Sequence, residues 1–226
     1  MEKLIQYRLI AIDGLDASGK GTQTELLCQY LAGKGKEYTK LSFPEYDMES
    51  SALVRMYLRG DFGNDPNDVN PYAASSFFAV DRYASYKLKW QKEYESGRLL
   101  IANRYTTANA VHQLSKLKKS EWEYYLDWLD NYEFELLGLP RPQKVLYLCM
   151  PPELSLKLLE KRCRETGIKK DIHEKSVEHI QKSYIAALYA AEYLGWTKID
   201  CSIDGKLRTM NDISQDIIKS CGELLE

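Results

Sequence analysis

The sequence predicts an α/β fold, a three-layer arrangement in which helices cover both faces of a five-stranded parallel sheet. Short β-rich runs alternate with longer amphipathic stretches along the 226 residues, and this alternation is typical of parallel βαβ units. Runs such as Val145-Leu146-Tyr147-Leu148 are continuously apolar, which indicates strands covered on both faces. No stretch rich in Pro, Gly or Ser divides the chain, so we expect a single domain over residues 1–226.

The predicted elements alternate in chain order. Short β-rich runs predict strands at Arg8–Asp13, Tyr38–Phe43, Leu99–Asn103, Lys144–Met150 and Thr197–Cys201. Helical spacing of apolar residues predicts helices at Thr22–Ala32, Ser51–Arg59, Pro71–Ser96, Glu121–Leu137, Pro152–Glu165, Glu174–Leu194 and Met210–Leu225. Ligands bind beyond the carboxyl ends of such strands, so residues that follow different strands are expected to share one crevice.

The most specific motif follows the first predicted strand. Residues 14–22 read Gly-Leu-Asp-Ala-Ser-Gly-Lys-Gly-Thr between the apolar run of residues 9–12 and an amphipathic stretch. A Gly-x-x-x-x-Gly-Lys pattern in that context is typical of the P-loop of nucleotide-binding proteins, and an ordinary glycine-rich turn does not explain the flanking elements. The glycines let backbone N–H groups turn toward anionic oxygens, and the lysine brings an ammonium group to the phosphates. The predicted phosphate-binding residues are Gly14, Ser18, Gly19, Lys20, Gly21 and Thr22.

One position departs from the usual P-loop. The residue after the lysine is commonly Ser or Thr, whose hydroxyl reaches magnesium, but this chain has Gly21, with Thr22 one residue later. We therefore expect Mg²⁺ to be held by the nucleotide phosphates, by water and by a carboxylate such as Asp16.

Composition argues against several classes of function. The chain has 31 Lys and Arg against 33 Asp and Glu, a net charge of −2, which argues against a general binder of nucleic acid or membrane surfaces. Its five cysteines are scattered without a Cys-x-x-Cys pair, so the spacing suggests neither a zinc site nor a disulfide framework. No signal peptide is evident, and no apolar run approaches the roughly 18 residues of a membrane span. We expect a cytoplasmic protein.

Two arginines are candidates for a second ligand site. Phe78 and Arg82 are four residues apart and share a helix face, so the ring could stack on a base while the guanidinium bonds its edge. The alternative is that Phe78 is core and Arg82 pairs with a surface acid. Arg104 follows the third strand, where it could grip a phosphate, or it could simply leave the sheet for solvent.

A basic segment near residues 161–173 is a candidate lid. A mobile flap of this kind could close over the triphosphate and stabilise transferred charge, although a solvated helix end is the plainer interpretation. Its cations are Lys161, Arg162, Arg164, Lys169 and Lys170.

Taken together, these blocks resemble the thymidylate kinases, nucleoside monophosphate kinases of the P-loop class. The resemblance runs from Leu9 to about Leu194 and rests on the order and spacing of several blocks. These are residues 12–20, Phe43-Pro44, Phe78-Ala79-Val80-Asp81-Arg82, Asn103-Arg104-Tyr105 through Asn109, Leu139-Pro140-Arg141-Pro142, Pro151-Pro152-Glu153-Leu154 and Asp171-Ile172-His173-Glu174.

The resemblance implies a role for each candidate. Lys20 and the loop amides would hold ATP, Asp16 would meet a sugar hydroxyl or the magnesium shell, and Arg104 would grip the acceptor phosphate. The implied acceptor-binding residues are Asp16, Phe43, Phe78, Arg82, Arg104, Tyr105, Asn109 and His112. Because the P-loop carries no arginine, a lid cation would be catalytic, and we prefer Arg164 to Arg162. The resemblance also implies a homodimer formed through the helix Tyr72–Tyr94.

Three departures bear on the acceptor. Glu45 stands where many relatives have an arginine, which leaves phosphate binding to Arg104 and Arg55. Asn103 replaces an aspartate, and His112 replaces an aromatic residue that faces the sugar 2′ carbon. The implied reaction is ATP-dependent phosphorylation of a deoxynucleoside monophosphate, most of all dTMP. Alternatives are another pyrimidine monophosphate, a nucleoside, or a nucleotide-dependent switch, against which the chain lacks an Asn-Lys-x-Asp motif.

Overall fold

A computed structural model describes residues 8–225; the other residues of the predicted domain, 1–7 and 226, lie outside this range. A five-stranded parallel sheet forms its centre, in the order β2-β3-β1-β4-β5, which confirms the predicted fold class. Its strands are β1 (Arg8–Gly14), β2 (Tyr38–Ser42), β3 (Leu99–Asn103), β4 (Lys144–Cys149) and β5 (Thr197–Asp200). Each observed strand ends within one residue of its prediction.

Ten helices surround the sheet within the described range. They are α1 (Lys20–Gly33), α2 (Ala52–Arg59), α3 (Pro71–Ser85), α4 (Gln91–Glu95), α5 (Thr107–His112), α6 (Trp122–Asp130), α7 (Pro152–Thr166), α8 (Ile172–Lys175), α9 (Val177–Tyr193) and α10 (Met210–Cys221). Wider π turns at Tyr86–Trp90 and Asn131–Leu136 continue α3 and α6. A short hairpin, β6 (Ser202–Ile203) and β7 (Lys206–Leu207), precedes α10.

The predicted helix over 174–194 is wrong at its start. The helix is interrupted at Ser176, which has an extended backbone conformation. The Ser176 side chain caps α9 by accepting a hydrogen bond from the His179 N–H. The preceding turn, α8, is capped separately by Asp171. The short helix α5 was not predicted, because its six residues are too few for a periodic pattern.

Apolar residues of β1 pack against both helix layers. Ile10 and Ile12 are fully buried against one layer with Leu27 and Ile217, while Leu9 and Ala11 face the opposite layer. The register pairs Ile12 with Asn103, and the Arg104 N–H donates to the Ile12 carbonyl at 3.0 Å. The ends of β1 and β3 are therefore held together, which brings Asp13 and Arg104 to the same edge of the sheet.

Candidate active site

The P-loop leaves β1 through a crowded turn. A Cβ on Gly14 would lie 2.6 Å from Ser18 Oγ and 2.9 Å from the Leu148 carbonyl oxygen, so no larger residue fits without displacement. Gly19 has a φ of 89°, a left-handed conformation that favours glycine, and it directly precedes α1. The first-turn N–H groups of α1 consequently face the loop without a side-chain cap among the described residues, as an anion site requires.

Lys20 lies folded across this loop. Its Nζ donates to the Gly14 carbonyl at 3.0 Å and to the Leu15 carbonyl at 2.6 Å, and lies 3.8 Å from Asp16 Oδ1. Burial lowers the pKa of Lys20 to about 8, with Arg104 adding to the effect and Asp16 opposing it. The ammonium group is therefore held beside the loop by two neutral carbonyls that an anion could replace.

Two cavities open at the carboxyl edge of the sheet. The first, which we call the donor cavity, is lined by Ser18, Gly19, Lys20, Gly21 and Thr22, five of the six predicted phosphate-binding residues. The second, the acceptor cavity, is lined by all eight predicted acceptor-binding residues: Asp16, Phe43, Phe78, Arg82, Arg104, Tyr105, Asn109 and His112. The fold thus brings together predicted acceptor-binding residues from Asp16 to His112, which are far apart in the sequence.

Three charged residues line both cavities: Asp16, Arg104 and Arg162. Arg104 donates to Asp16 Oδ1, lies 3.5 Å from Asp13 Oδ1, and approaches His112 Nε2 at 3.1 Å. Its φ of 64° is unusual for a residue with a side chain, a strain found most often at functional sites. Although burial opposes it, Arg104 and Lys20 hold the pKa of Asp16 well below its usual range. Asp16 therefore stays charged at the junction.

Arg82 has a partner that sequence reasoning missed. Its Nε donates to Glu133 Oε2 at 2.8 Å and its Nη2 to Glu133 Oε1 at 2.5 Å, and both side chains are almost fully buried. Asn109 Nδ2 also donates to Glu133, at 2.9 Å. Arg82 therefore pairs with an acid, but with a buried one rather than the surface acid that the alternative expected, and the pair forms part of the cavity wall. Glu133 lies in a π turn and follows no motif, so no sequence signal pointed to it.

Phe78 forms another part of the same wall. It is half-buried and meets Tyr57 edge to face, with ring centroids 6.2 Å apart and an interplanar angle of 87°. Its neighbour Phe77 packs against Tyr57 and Phe62. The ring of Phe78 is therefore fixed on one side and accessible on the other, as a stacking surface must be.

The basic segment follows α7, which Gly167 ends with a φ of 70°. Arg162 lines both cavities and donates to Glu174 Oε1 at 2.6 Å, whereas Arg164 and Lys169 are exposed and Lys170 is half-buried. Of the lid cations, the junction contains Arg162 and not Arg164, and this placement favours Arg162 over the preferred Arg164. A helix presents side chains two positions apart on different faces, which the spacing alone did not resolve.

Further residues of the acceptor cavity were not predicted, among them Tyr46, Asp171, His173 and Glu174. Asp171 and Glu174 cap α8 reciprocally, with the Glu174 N–H donating to Asp171 Oδ1 at 2.9 Å. Burial, reinforced by the charges of Asp16 and Glu174, raises the pKa of Asp171 to about 7. The Asp-x-x-Glu capping pattern was a signal available in the sequence.

Glu45 and Arg55, which bear on binding of the acceptor phosphate, both have partners within the protein. Glu45 accepts from Lys89 Nζ at 2.7 Å and from Ser85 at 3.2 Å, so its carboxylate is held by the helix layer. Arg55 donates to the carbonyls of Tyr46 and Met48. These hydrogen bonds hold the loop before α2. Arg104 is thus the better placed of the two arginines proposed to hold the acceptor phosphate.

Comparison with known proteins agrees with this arrangement. A thymidylate kinase of Mycobacterium tuberculosis (strain CDC 1551 / Oshkosh) is 29% identical over 201 residues, which cover 87% of this chain and 92% of that protein. A thymidylate kinase of Plasmodium falciparum (isolate 3D7) is 25% identical over 213 residues, covering 94% and 88%. The solved thymidylate kinase of Candida albicans shares the fold, with a TM-score of 0.68 at 20% identity over 97% of this chain and 93% of that chain.

The family model described as thymidylate kinase matches residues 12–209, a range that contains the P-loop, the acceptor cavity and most of the donor cavity. That match spans most of the chain, so the chain belongs to the thymidylate kinase family and is a phosphotransferase of the nucleoside monophosphate kinase class.

Proposed function

We propose that this chain transfers the γ-phosphoryl group of ATP to dTMP, with ATP in the donor cavity and dTMP in the acceptor cavity. The observation that carries the proposal is the junction: Asp16, Arg104 and Arg162 line both cavities. In-line transfer requires two anionic ends to meet where charge is neutralised, and this junction supplies two guanidinium groups beside Lys20.

Transfer requires little covalent chemistry from the protein. The acceptor phosphate is already a nucleophile, so no general base is required. Arg104 holds that phosphate in line with the γ-phosphate of ATP, while Lys20 exchanges its contacts with Gly14 and Leu15 for phosphate oxygens. Arg162 stabilises the charge on the transferred group, and this requires it to leave Glu174 as the lid closes.

The wall of the acceptor cavity selects the base. Phe78 stacks on the pyrimidine, and the remaining Arg82 donor, Nη1, lies 3.4 Å from the Tyr105 carbonyl near the base edge. Glu133 holds Arg82 and Asn109 in fixed orientations, so these groups are organised before the acceptor arrives. His112 faces the sugar.

Magnesium accompanies ATP in this proposal. The residues present fit the ion, because the Asp16 carboxylate lies at the junction and Ser18 Oγ is buried without a partner among the described residues. Asp16 would hold Mg²⁺ through water, with Ser18 beside the phosphates, and the ion would supply charge neutralisation when bound.

We also propose a cytoplasmic homodimer that forms through α3 and the π turn that follows it. Val80, Tyr83 and Leu88 are exposed there, Leu88 to 75%, and a surface of this kind favours association. Within residues 8–225, none of the helices has the length and apolar character needed to cross a membrane. Sedimentation of the native chain and of Leu88→Asp tests the dimer: the variant should sediment as a monomer, and unchanged dimer would exclude this face.

The proposed reaction is tested by ADP release from ATP and Mg²⁺ with a panel of acceptors. The panel contains dTMP, dUMP, UMP, dCMP, CMP, dGMP, GMP, AMP and thymidine, with a control that has no acceptor. Strong stimulation by dTMP is expected. Stronger stimulation by a different acceptor would contradict dTMP as the preferred substrate. Steady hydrolysis without any acceptor would contradict the proposal in favour of a nucleotide-dependent switch.

A further inference from the structure

The three histidines of this chain lie together beside the acceptor cavity. His112 ends α5, His173 lies in α8 and His179 lies in α9, and the sequence contains no other histidine. Each ring offers one nitrogen, and these three nitrogens lie within 4.8 Å of one another. All three side chains are buried, with 4–7% of their surface exposed. The proposed kinase reaction assigns a role only to His112, which faces the sugar, so the cluster as a whole has no assigned role.

The ring positions fit a shared metal ion. A zinc ion lies roughly 2.0–2.1 Å from each imidazole nitrogen, which sets ring centres in a three-histidine site about 5 Å apart. The observed centroid separations are 5.1 Å for His112 and His173, 5.9 Å for His112 and His179, and 4.6 Å for His173 and His179. The ring planes lie within 33° of one another, so the side chains must rotate for their nitrogens to converge on one ion.

The chemistry of the rings also fits. Burial lowers the pKa of all three histidines, that of His179 to about 4, so they are neutral at pH 7, the form that ligates metals. His112 Nδ1 is buried and has no hydrogen-bond partner among the described residues. His173 Nε2 lies 2.8 Å from the Tyr57 hydroxyl, which can accept its N–H and fix the ring, as outer partners of metal ligands do. Such a ring leaves its other nitrogen for an ion.

Charges around the cluster are mixed. Lys116 donates to the Tyr57 hydroxyl at 2.8 Å and opposes a cation, while Asp16 lies on the side of His112. Arg104 Nη1 lies 3.1 Å from His112 Nε2. An ion on His112 Nδ1 leaves the ring proton on Nε2, which cannot then accept from Arg104. Ion binding and the contact between Arg104 and His112 therefore exclude each other.

We propose that His112, His173 and His179 form a binding site for one divalent transition-metal ion of the zinc class. His112 and His173 line the acceptor cavity, so the fourth coordination position faces that cavity. The bound ion separates His112 from Arg104, and this couples metal occupancy to the residue assigned to the acceptor phosphate. The site was invisible to sequence reasoning because only His173 and His179 are near each other in the chain, and they are six positions apart.

Metal content of the untagged full chain tests the proposal. The chain is incubated with Zn²⁺ and dialysed without nucleotide, and one bound ion per chain is expected. His179→Asn should bind at least tenfold more weakly, because loss of a ligand exceeds the roughly 10–100-fold effect of losing an outer partner. Lys182→Asn, an exposed position on the same helix, is the matched control and should retain the ion.

A second measurement requires no variant. Ring-nitrogen NMR signals of the native chain come from three histidines only, and Zn²⁺ should shift all three. Unshifted signals, less than about a tenth of an ion per chain, or equal zinc binding by His179→Asn would each overturn the proposal. Because no nucleotide is present, failure here leaves the kinase assignment untouched, and failure of the kinase assignment leaves this result standing.

Discussion

The donor cavity and the acceptor cavity are built in different ways. Eight contiguous residues, 16–23, supply one wall of the donor cavity, and much of its chemistry is backbone N–H groups and one ammonium group. The acceptor cavity draws on separate segments that include α2, α3, α5 and α8, and its chemistry lies in side chains. A contiguous backbone site can be recognised from a single motif, whereas a site assembled from distant side chains depends on contacts that no motif records.

The largest expected effect comes from the buried partner of the acceptor wall. Glu133→Ala leaves the Arg82 guanidinium buried and unpaired, so we expect the free energy of unfolding to fall by about 3–5 kcal/mol. Urea unfolding measures this. Glu135→Ala, which removes an exposed pairing with Arg141 in the same turn, is the control and should cost less than about 1 kcal/mol. A small loss for Glu133→Ala would show that the acceptor wall does not depend on this pair.

Loss of the P-loop lysine should affect rate rather than folding. Lys20→Ala removes the mobile charge from the donor cavity, and we expect kcat to fall by about 10²–10³-fold or more, as for loss of a preorganised donor. Its folded-state contacts are with two carbonyls, and burial already lowers its pKa to about 8, so the cost in stability should be small. Lys40→Ala, at an exposed ion pair on β2, is the control. Retained activity in Lys20→Ala would contradict the role of the P-loop in phosphoryl transfer.

Phe78 tests whether the acceptor wall binds a base. Phe78→Ala should weaken the acceptor by about 1–3 kcal/mol through lost stacking and leave the Michaelis constant for ATP nearly unchanged. Phe77→Ala is the matched control, because that ring packs against Tyr57 and Phe62 behind the wall. Equal Michaelis constants for the acceptor in the two variants would show that Phe78 is a core residue and not a base-binding one.

A pH dependence tests the cap of α8 at the acceptor wall. The pKa of Asp171 is raised to about 7 in the folded chain, so the folded state holds this proton more tightly than the unfolded state. The free energy of unfolding should therefore fall as pH rises from about 4 to about 7. Asp171→Asn keeps an oxygen for the cap and should lose that slope in urea unfolding between pH 5 and 7. The same slope in both proteins would contradict the assignment.

The sequence predicted the sheet and the P-loop because both are local. Runs of buried apolar residues marked β1, β3 and β4, shorter β-rich runs marked the edge strands β2 and β5, and the glycines and Lys20 occupy fixed spacings. It also predicted the acceptor cavity through the family resemblance. The sequence did not predict the role of Glu133 or the histidine cluster, because the residues that meet there are distant in the chain. Ser176 interrupted a helix whose apolar period continues on both sides, and only its cap geometry reveals the break.

The central claim is that the two cavities hold two nucleotides whose phosphates meet at Asp16, Arg104 and Arg162. An adenosine and a thymidine joined through a chain of five phosphates would span both cavities at once. We expect calorimetry to show one equivalent of this joined nucleotide bound per chain, and we expect both ATP and dTMP to displace it. Displacement by only one of the two nucleotides would contradict the joined-cavity site.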